Sequence, residues 1–186
     1  IMEMTISRDR WQQHLKTRGR HYHDRAAAFE ALHARHPDVG ADCAALALHA
    51  LAELMERARV GRLTRFQHIL LRLGEWIAYA ESAGSLARRA ALMAEGKLNE
   101  KASQRFDATA LAAISRVFAR EAAAQVAGEG LCWVTGAATE AGDLPAFEKA
   151  LNLAAIHRAQ AGRVADMDFV ADVLYGRFAK PVAHVA

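Results

Sequence analysis

The amino-acid sequence predicts an all-α protein, an up-and-down four-helix bundle with an additional N-terminal helix. Alanine, the strongest helix former, occurs 43 times among 186 residues. Only three prolines and twelve glycines punctuate the chain, so long stretches contain no helix breaker. β-Branched residues are sparse, which leaves little material for strands. Apolar residues make up 53% of the chain, enough for one packed core.

The N-terminal part is strongly polar and predicts one helix over residues 8–35. Ser7 is placed to act as its N-cap, and Pro37 ends it. We assign residues 1–40 to this polar N-terminal helix and residues 41–180 to the helical bundle. The second helix is predicted over 40–59.

The third predicted helix, over residues 63–95, carries the clearest apolar repeat. Apolar or small side chains return every seven residues in two complementary series, as in the seam between packed helices. The side chains become smaller towards its C-terminal end, so a partner helix can approach more closely there. The two series are Leu63, Leu70, Ile77, Gly84 and Ala91, and Phe66, Leu73, Ala80, Ala87 and Ala94.

Three further helices follow, each marked by a start signal or an apolar face. Asp107 is the expected cap of a helix over 108–128, and Asp143 begins another, with Pro145 in the first turn. The last helix is predicted over 165–179. The apolar faces are Leu111, Ile114, Phe118 and Ala122, then Phe147, Leu151 and Ala154, then Met167, Val170, Leu174 and Phe178.

Composition excludes several classes of protein. No apolar run is long enough to predict a membrane span, and no signal peptide is apparent. Cys43 and Cys132 cannot build a disulfide framework, so we expect a cytoplasmic location. The net charge of +3 is small and its basic residues are dispersed, so no nucleic-acid partner is expected.

No motif in the sequence carries catalytic chemistry by itself. Nucleotide-binding glycine patterns and the serine-nucleophile pattern are missing from the chain. Nine histidines are present, but their spacing does not repeat as metal ligation requires, so we expect solvated histidines and no metal site. His49 and Glu53 are predicted to form a surface pair. The remaining histidine and carboxylate candidates considered were His21, His23, His33, His36, Glu75 and Glu81.

Several short motifs nevertheless occur in a recognisable order between residues 41 and 175. They are Glu56-Arg57-Ala58-Arg59-Val60-Gly61, then Phe66-Gln67 with Leu73-Gly74-Glu75-Trp76, then the stretch from Ile114 to Ala127 that contains Phe118-Ala119-Arg120-Glu121. In this order they resemble the C-terminal helical domain of the acyl-CoA dehydrogenase family. The resemblance implies that Arg57, Gln67 and Thr135 lie near a flavin.

The sequence differs from the family at the positions of the family's catalytic glutamate and of its Gly-Gly turn. Cys132 and Thr135-Gly136 replace its Gln-x-x-Gly-Gly turn, and Ala161 stands where most members have the catalytic glutamate. No acidic residue occurs in 60–69, where some members place that base, although Glu53 and Glu56 precede it. The resemblance therefore implies no catalytic residue in this chain.

Three functions stay open from the sequence. The first is a non-catalytic bundle, like the degenerate second copy in very-long-chain-type members. It would associate with an acyl-CoA dehydrogenase flavoenzyme core or as a homo-oligomer, and would hold no cofactor alone. The second is the C-terminal part of an FAD-dependent acyl-CoA dehydrogenase, oxidising fatty acyl-CoA, whose flavin and substrate domains lie outside this chain. The third is a helical module for an unrelated partner.

Overall fold

The computed structural model describes residues 2–99, 105–137 and 142–177. Of these residues 84% are helical, and no strand occurs among them, so the all-α prediction is confirmed. The helices are α1 (Met2–Lys16), α2 (Arg20–Arg35), α3 (Ala41–Val60), α4 (Gln67–Ala94), α5 (Ala108–Gly136), α6 (Leu144–Ala150), α7 (Leu153–Ala159) and α8 (Arg163–Leu174). Two 3-10 turns, Pro37–Val39 and Leu63–Arg65, precede α3 and α4.

The N-terminal part is two helices, where the sequence predicted one over 8–35. Arg18 and Gly19 take positive φ angles of 53° and 83°, which no continuous helix allows, and the chain turns there. Ser7 is not a cap: it lies buried inside α1, and its hydroxyl donates to the Leu70 carbonyl at 2.5 Å. The turn lets α1 pack on α4 while α2 packs on α3. The division at residue 40 stays a prediction.

Helices α3, α4 and α5 make the most extensive contacts and form the centre of the molecule. α3 and α5 run parallel, because Gly40 lies against Arg116 at one end and Leu54 against Gly130 further along. α4 runs antiparallel to α5. Two ring pairs show this, Tyr79 with Phe118 and His68 with Trp133.

Glycines bring the central helices close together. A Cβ on Gly130 would lie 2.3 Å from Cδ1 of Leu54, so α5 approaches α3 at a distance that only glycine permits. This contact explains why α5 continues to Gly136, eight residues beyond the predicted end at 128. Tertiary packing there outweighs the poor helix propensity of glycine.

The predicted seam of α4 is buried along most of its length. Leu73, Ile77 and the small residues from Ala80 to Ala91 in both series are enclosed, and Gly84 receives the ring of Phe29 from α2. At the two ends of the seam, Phe66 and Ala94 are exposed. Phe118, predicted to be buried, is half-buried and stacks on Tyr79 at the edge of the core.

The helix predicted to begin at Asp143 is divided into two short helices, α6 and α7. Asp143 caps α6 as expected, accepting from the Ala146 amide at 3.0 Å. Asn152, with a φ of 57°, then separates α6 from α7. The separation rotates the buried face, so Ile156 is enclosed while Ala154, predicted to be apolar contact surface, is exposed.

Salt bridges between side chains hold helix α8 against α5. Both Arg116 and Arg120 donate to the carboxylate of Asp166, the Arg116 Nε at 2.9 Å. Hydrogen bonds from Arg116 keep the pKa of Asp166 below its usual value. The predicted apolar face of this helix is largely outward, and Phe178 lies outside the described residues.

Candidate functional site

A groove of about 440 Å³ lies where the start of α4 meets the end of α5. It exists because the two helices are antiparallel, so that Phe66 and Ile69 face the last two turns of α5. Its wall is apolar and aromatic, with His68 and the free thiol of Cys132 as its polar features. Pockets of this size and character suit small organic ligands or apolar side chains. The lining residues are Phe66, His68, Ile69, Cys132, Trp133, Gly136 and Ala137.

The indole of Trp133 is held in place by two side chains of α4. His68 stacks against it at a centroid distance of 6.3 Å, and the guanidinium of Arg72 lies 5.3 Å from its ring centre. His68 and Arg72 are four residues apart and therefore share one face of α4. Trp133 remains 38% exposed, so a ligand in the groove could still contact its ring.

The three residues predicted to contact a flavin lie at one end of the central helices. Arg57 is in the last turn of α3, Gln67 is the first residue of α4, and Thr135 is in the last turn of α5. Gln67 and Thr135 each adjoin a residue that lines the groove. The Arg57 guanidinium instead covers the ring of Phe147 on α6, at 4.5 Å. Flavin contact by the three stays a prediction.

A carboxylate base is missing from the described lining of the groove. Ala161 is exposed in the turn between α7 and α8, away from the groove. Glu53 and Glu56, upstream of the groove, are each engaged by a histidine. The arrangement can enclose an apolar group, with His68 and Cys132 as polar side chains of its described lining.

Glu81 of α4 contacts side chains from α1 and α2 and so joins three helices. Its carboxylate accepts from Arg10 of α1 at 2.7 Å, from Arg25 of α2 at 2.6 Å, and from the fully buried hydroxyl of Tyr22 at 3.0 Å. Burial opposes ionisation of Glu81, but the hydrogen bonds from Arg10 and Arg25 outweigh it, so its pKa is lowered. Burial also raises the pKa of Tyr22. This cluster fixes α1 and α2 on α4.

Histidine–carboxylate pairs occur repeatedly at the interfaces of the N-terminal helices, contrary to the prediction of solvated histidines. Each pair brings a ring nitrogen within 4 Å of a carboxylate oxygen from another element. The pairs are His14 with Glu56, His23 with Glu53, His33 with Asp42, His36 with Glu95, and His49 with Glu30.

His14 is the most enclosed of these histidines. Its ring is fully buried, and its Nε2 lies 3.2 Å from Oε2 of Glu56. Burial lowers the pKa of His14 despite the facing carboxylate. Hydrogen bonds from Arg59 lower the pKa of Glu56 to about 2. The pair therefore combines a neutral imidazole with a carboxylate, and it links α1 to α3.

His23 and His49 form a continuous chain with Glu30 and Glu53 across the α2–α3 interface, which we call the α2–α3 histidine cluster. The Nδ1 atoms of the two rings are 2.8 Å apart. The predicted pairing of His49 with Glu53 is wrong, because each of them contacts a partner on α2. In the part of the chain that the structure describes, no group of three or more His, Cys, Asp or Glu side chains is arranged to hold a metal ion.

No protein-family model, curated protein or solved structure matches this chain. The likeness to acyl-CoA dehydrogenases therefore remains a prediction from the sequence motifs. None of the described helices has both the length and the apolarity to cross a membrane. The class defined by fold and groove is an all-α protein with an apolar groove at one end.

Proposed function

We propose that this chain is a non-catalytic helical association module, resembling the C-terminal bundle of acyl-CoA dehydrogenases, that pairs with a second copy of itself. The observation that carries the proposal is an apolar stripe on α8. Val164, Met167 and Leu174 are 70%, 47% and 53% exposed, and their spacing puts them on one helix face. A row of exposed apolar side chains on one helix face is typical of association sites.

The same proposal includes the assignment of the fold as an up-and-down four-helix bundle with an N-terminal addition. α3, α4 and α5 alternate in direction and provide three helices of an up-and-down four-helix bundle. The C-terminal helices provide the fourth, and residues 1–40 are the N-terminal addition. The packing of α7 and α8 on α5 supports this assignment.

Replacing Val164 or Leu174 with lysine should convert the protein from an oligomer to a monomer. Each substitution puts a charge into an apolar interface, where desolvation without a partner is costly. Light scattering at tens of micromolar protein measures the mass directly. The matched control is Val60→Lys at the end of α3, where valine is 66% exposed but lies outside the stripe.

Two outcomes would contradict self-association through α8. One is a wild-type protein that stays strictly monomeric at these concentrations. The other is equal dissociation by Val60→Lys, which would show a general effect of added charge.

The apolar groove supports a second candidate function, and so do the three predicted flavin-contacting residues near the same end of the central helices. Arg57, Gln67 and Thr135 belong to the ends of three helices on the same side of the molecule as the groove, and the family resemblance implies that these positions lie near a flavin. A flat apolar wall containing Trp133 suits a conjugated ring system. In this alternative the chain is the C-terminal part of an FAD-dependent acyl-CoA dehydrogenase, completed by domains outside it.

The purified chain should neither retain FAD nor oxidise acyl-CoA thioesters, whether or not FAD is added. Removing the α-proton of a thioester needs a positioned base, which contributes about 10² to 10⁴ in rate. Ala161→Glu should not restore turnover, because the added carboxylate lies away from the groove. The measurements are visible flavin absorbance after desalting and dye reduction with short, medium and long acyl-CoAs.

An intact family member serves as the positive control for these assays. The second proposal would replace the first if the wild-type chain retains flavin and Gln67→Ala and Thr135→Val lose it. The exposed-site variant Ala154→Ser should then still retain flavin. Turnover by the wild-type chain would refute the non-catalytic assignment.

A further inference from the structure

Two imidazoles face each other at the surface between α2 and α3. His23 and His49 approach through Nδ1 at 2.8 Å, with ring centroids 5.1 Å apart and planes tilted by 38°. Their side chains are 39% and 32% exposed, so an ion can reach them from solvent.

A carboxylate lies beside the outer nitrogen of each ring. His49 Nε2 is hydrogen-bonded to Oε1 of Glu30 at 3.1 Å, and His23 Nε2 lies 3.4 Å from Oε1 of Glu53. An ionised carboxylate can only accept a hydrogen bond, so both carboxylates favour the tautomer with hydrogen on Nε2 and a free lone pair on Nδ1. A metal ion that takes both Nδ1 atoms requires that tautomer in both rings.

The two Nδ1 atoms are 2.8 Å apart, which is a hydrogen bond in the metal-free protein, with one ring donating and the other accepting. When both rings carry their hydrogen on Nε2, the two Nδ1 lone pairs are free to bind one ion. A metal ion that prefers imidazole nitrogen can then replace the hydrogen between the rings.

We propose that His23 and His49 bind one divalent transition-metal ion of the zinc type through their Nδ1 atoms. Imidazole suits zinc, copper and nickel, and water completes the coordination that two protein ligands leave open. Glu30 and Glu53 act as positioning residues, since metal-binding histidines commonly donate their other N–H to a carboxylate.

The geometry needs only a small adjustment to receive zinc. A tetrahedral ion with Zn–N bonds of about 2.0–2.1 Å separates its two nitrogens by roughly 3.3 Å. The present separation is 2.8 Å, so the rings must part by about 0.5 Å. Both side chains are partly exposed and can rotate that far. The bound ion then bridges α2 and α3.

Zinc chloride should raise the melting temperature of the full chain. Mass action gives a shift of about 3–6 °C when free zinc is tenfold above its Kd. His23→Gln and His49→Gln should each abolish the shift. His68→Gln is the matched control, since it removes an exposed imidazole from the groove and should keep the shift.

Isothermal titration calorimetry measures zinc binding directly, a readout that folding stability does not affect. It should give about one zinc ion per chain for the wild-type protein and no binding for His23→Gln or His49→Gln. Glu30→Gln should weaken zinc binding by about tenfold without abolishing it, as expected for a positioning residue.

Three results would overturn the site. They are no zinc-dependent shift in the wild-type protein, an equal shift in both histidine variants, and loss of the shift in His68→Gln, which would locate zinc in the groove instead. Circular dichroism of each variant checks that its helical content is unchanged.

Discussion

Glu81→Ala should lower the free energy of unfolding by about 2–4 kcal/mol. Removing one partner of an enclosed ion cluster leaves the other charges without compensation, which costs about 3–5 kcal/mol when burial is complete. The Glu81 side chain is 20% exposed, so we expect a smaller value. The buried hydroxyl of Tyr22 also loses its acceptor. Denaturant unfolding measures the change.

Glu75→Ala is the control for this prediction. Glu75 lies on the same helix and pairs with Arg72 three residues away, with a side chain that is 33% exposed. A surface pair of this kind contributes about 0–1 kcal/mol. Equal losses for the two variants would show that Glu81 does not hold α1 and α2 on α4.

The effect of Glu81 should also depend on pH in a defined direction. Its pKa is lowered in the folded protein, so its contribution is complete above the unfolded value of about 4.3 and is lost as pH falls through the folded pKa. The difference between wild type and Glu81→Ala should therefore shrink below about pH 4.3. A difference that stays constant down to acid unfolding would contradict the ionic origin of the effect.

Leu73→Ala should lower the free energy of unfolding by about 2–5 kcal/mol, the range for large-to-small changes in a core. Leu73 is 1% exposed and lies in the apolar seam of α4. Its removal leaves a cavity that the rigid helices around it cannot close completely. Thermal or denaturant unfolding gives the value.

Leu92→Ala makes the same chemical change on the same helix at a residue that is 36% exposed. It should cost well under half as much, because less apolar surface is lost and no enclosed cavity forms. A loss below about 0.5 kcal/mol for Leu73→Ala would mean that the seam does not pack as described.

Local signals correctly predicted helix starts and buried positions where a cap residue or an apolar repeat is sufficient to identify them. Asp107 and Asp143 were predicted as caps, and each accepts from the amide three residues later. The seven-residue repeat identified Leu73 and Ile77 as core residues before any packing was known. Such signals are short-range, so they can be read from neighbouring residues.

The predictions failed at two places for different reasons. The chain turns at Arg18-Gly19, where Gly19 takes a positive φ and its amide donates to the His14 carbonyl at 2.8 Å. This glycine is a local stop signal that the prediction of one helix over 8–35 missed. α5 passes through Gly128 and Gly130 because Leu54 occupies the space beside Gly130. For α5 the deciding partner is far away in the sequence.

The sequence by itself determined the all-α class, the starts of α3, α5 and α6 and most of the α4 seam, because these follow from propensity, capping and periodicity. Only the tertiary structure decided the groove, the Glu81 cluster and the α2–α3 histidine cluster. Glu81 meets its donors across 56 to 71 residues of chain. His23 meets His49 across 26 residues. Such pairs depend on how helices cross, and no local pattern in one sequence specifies that.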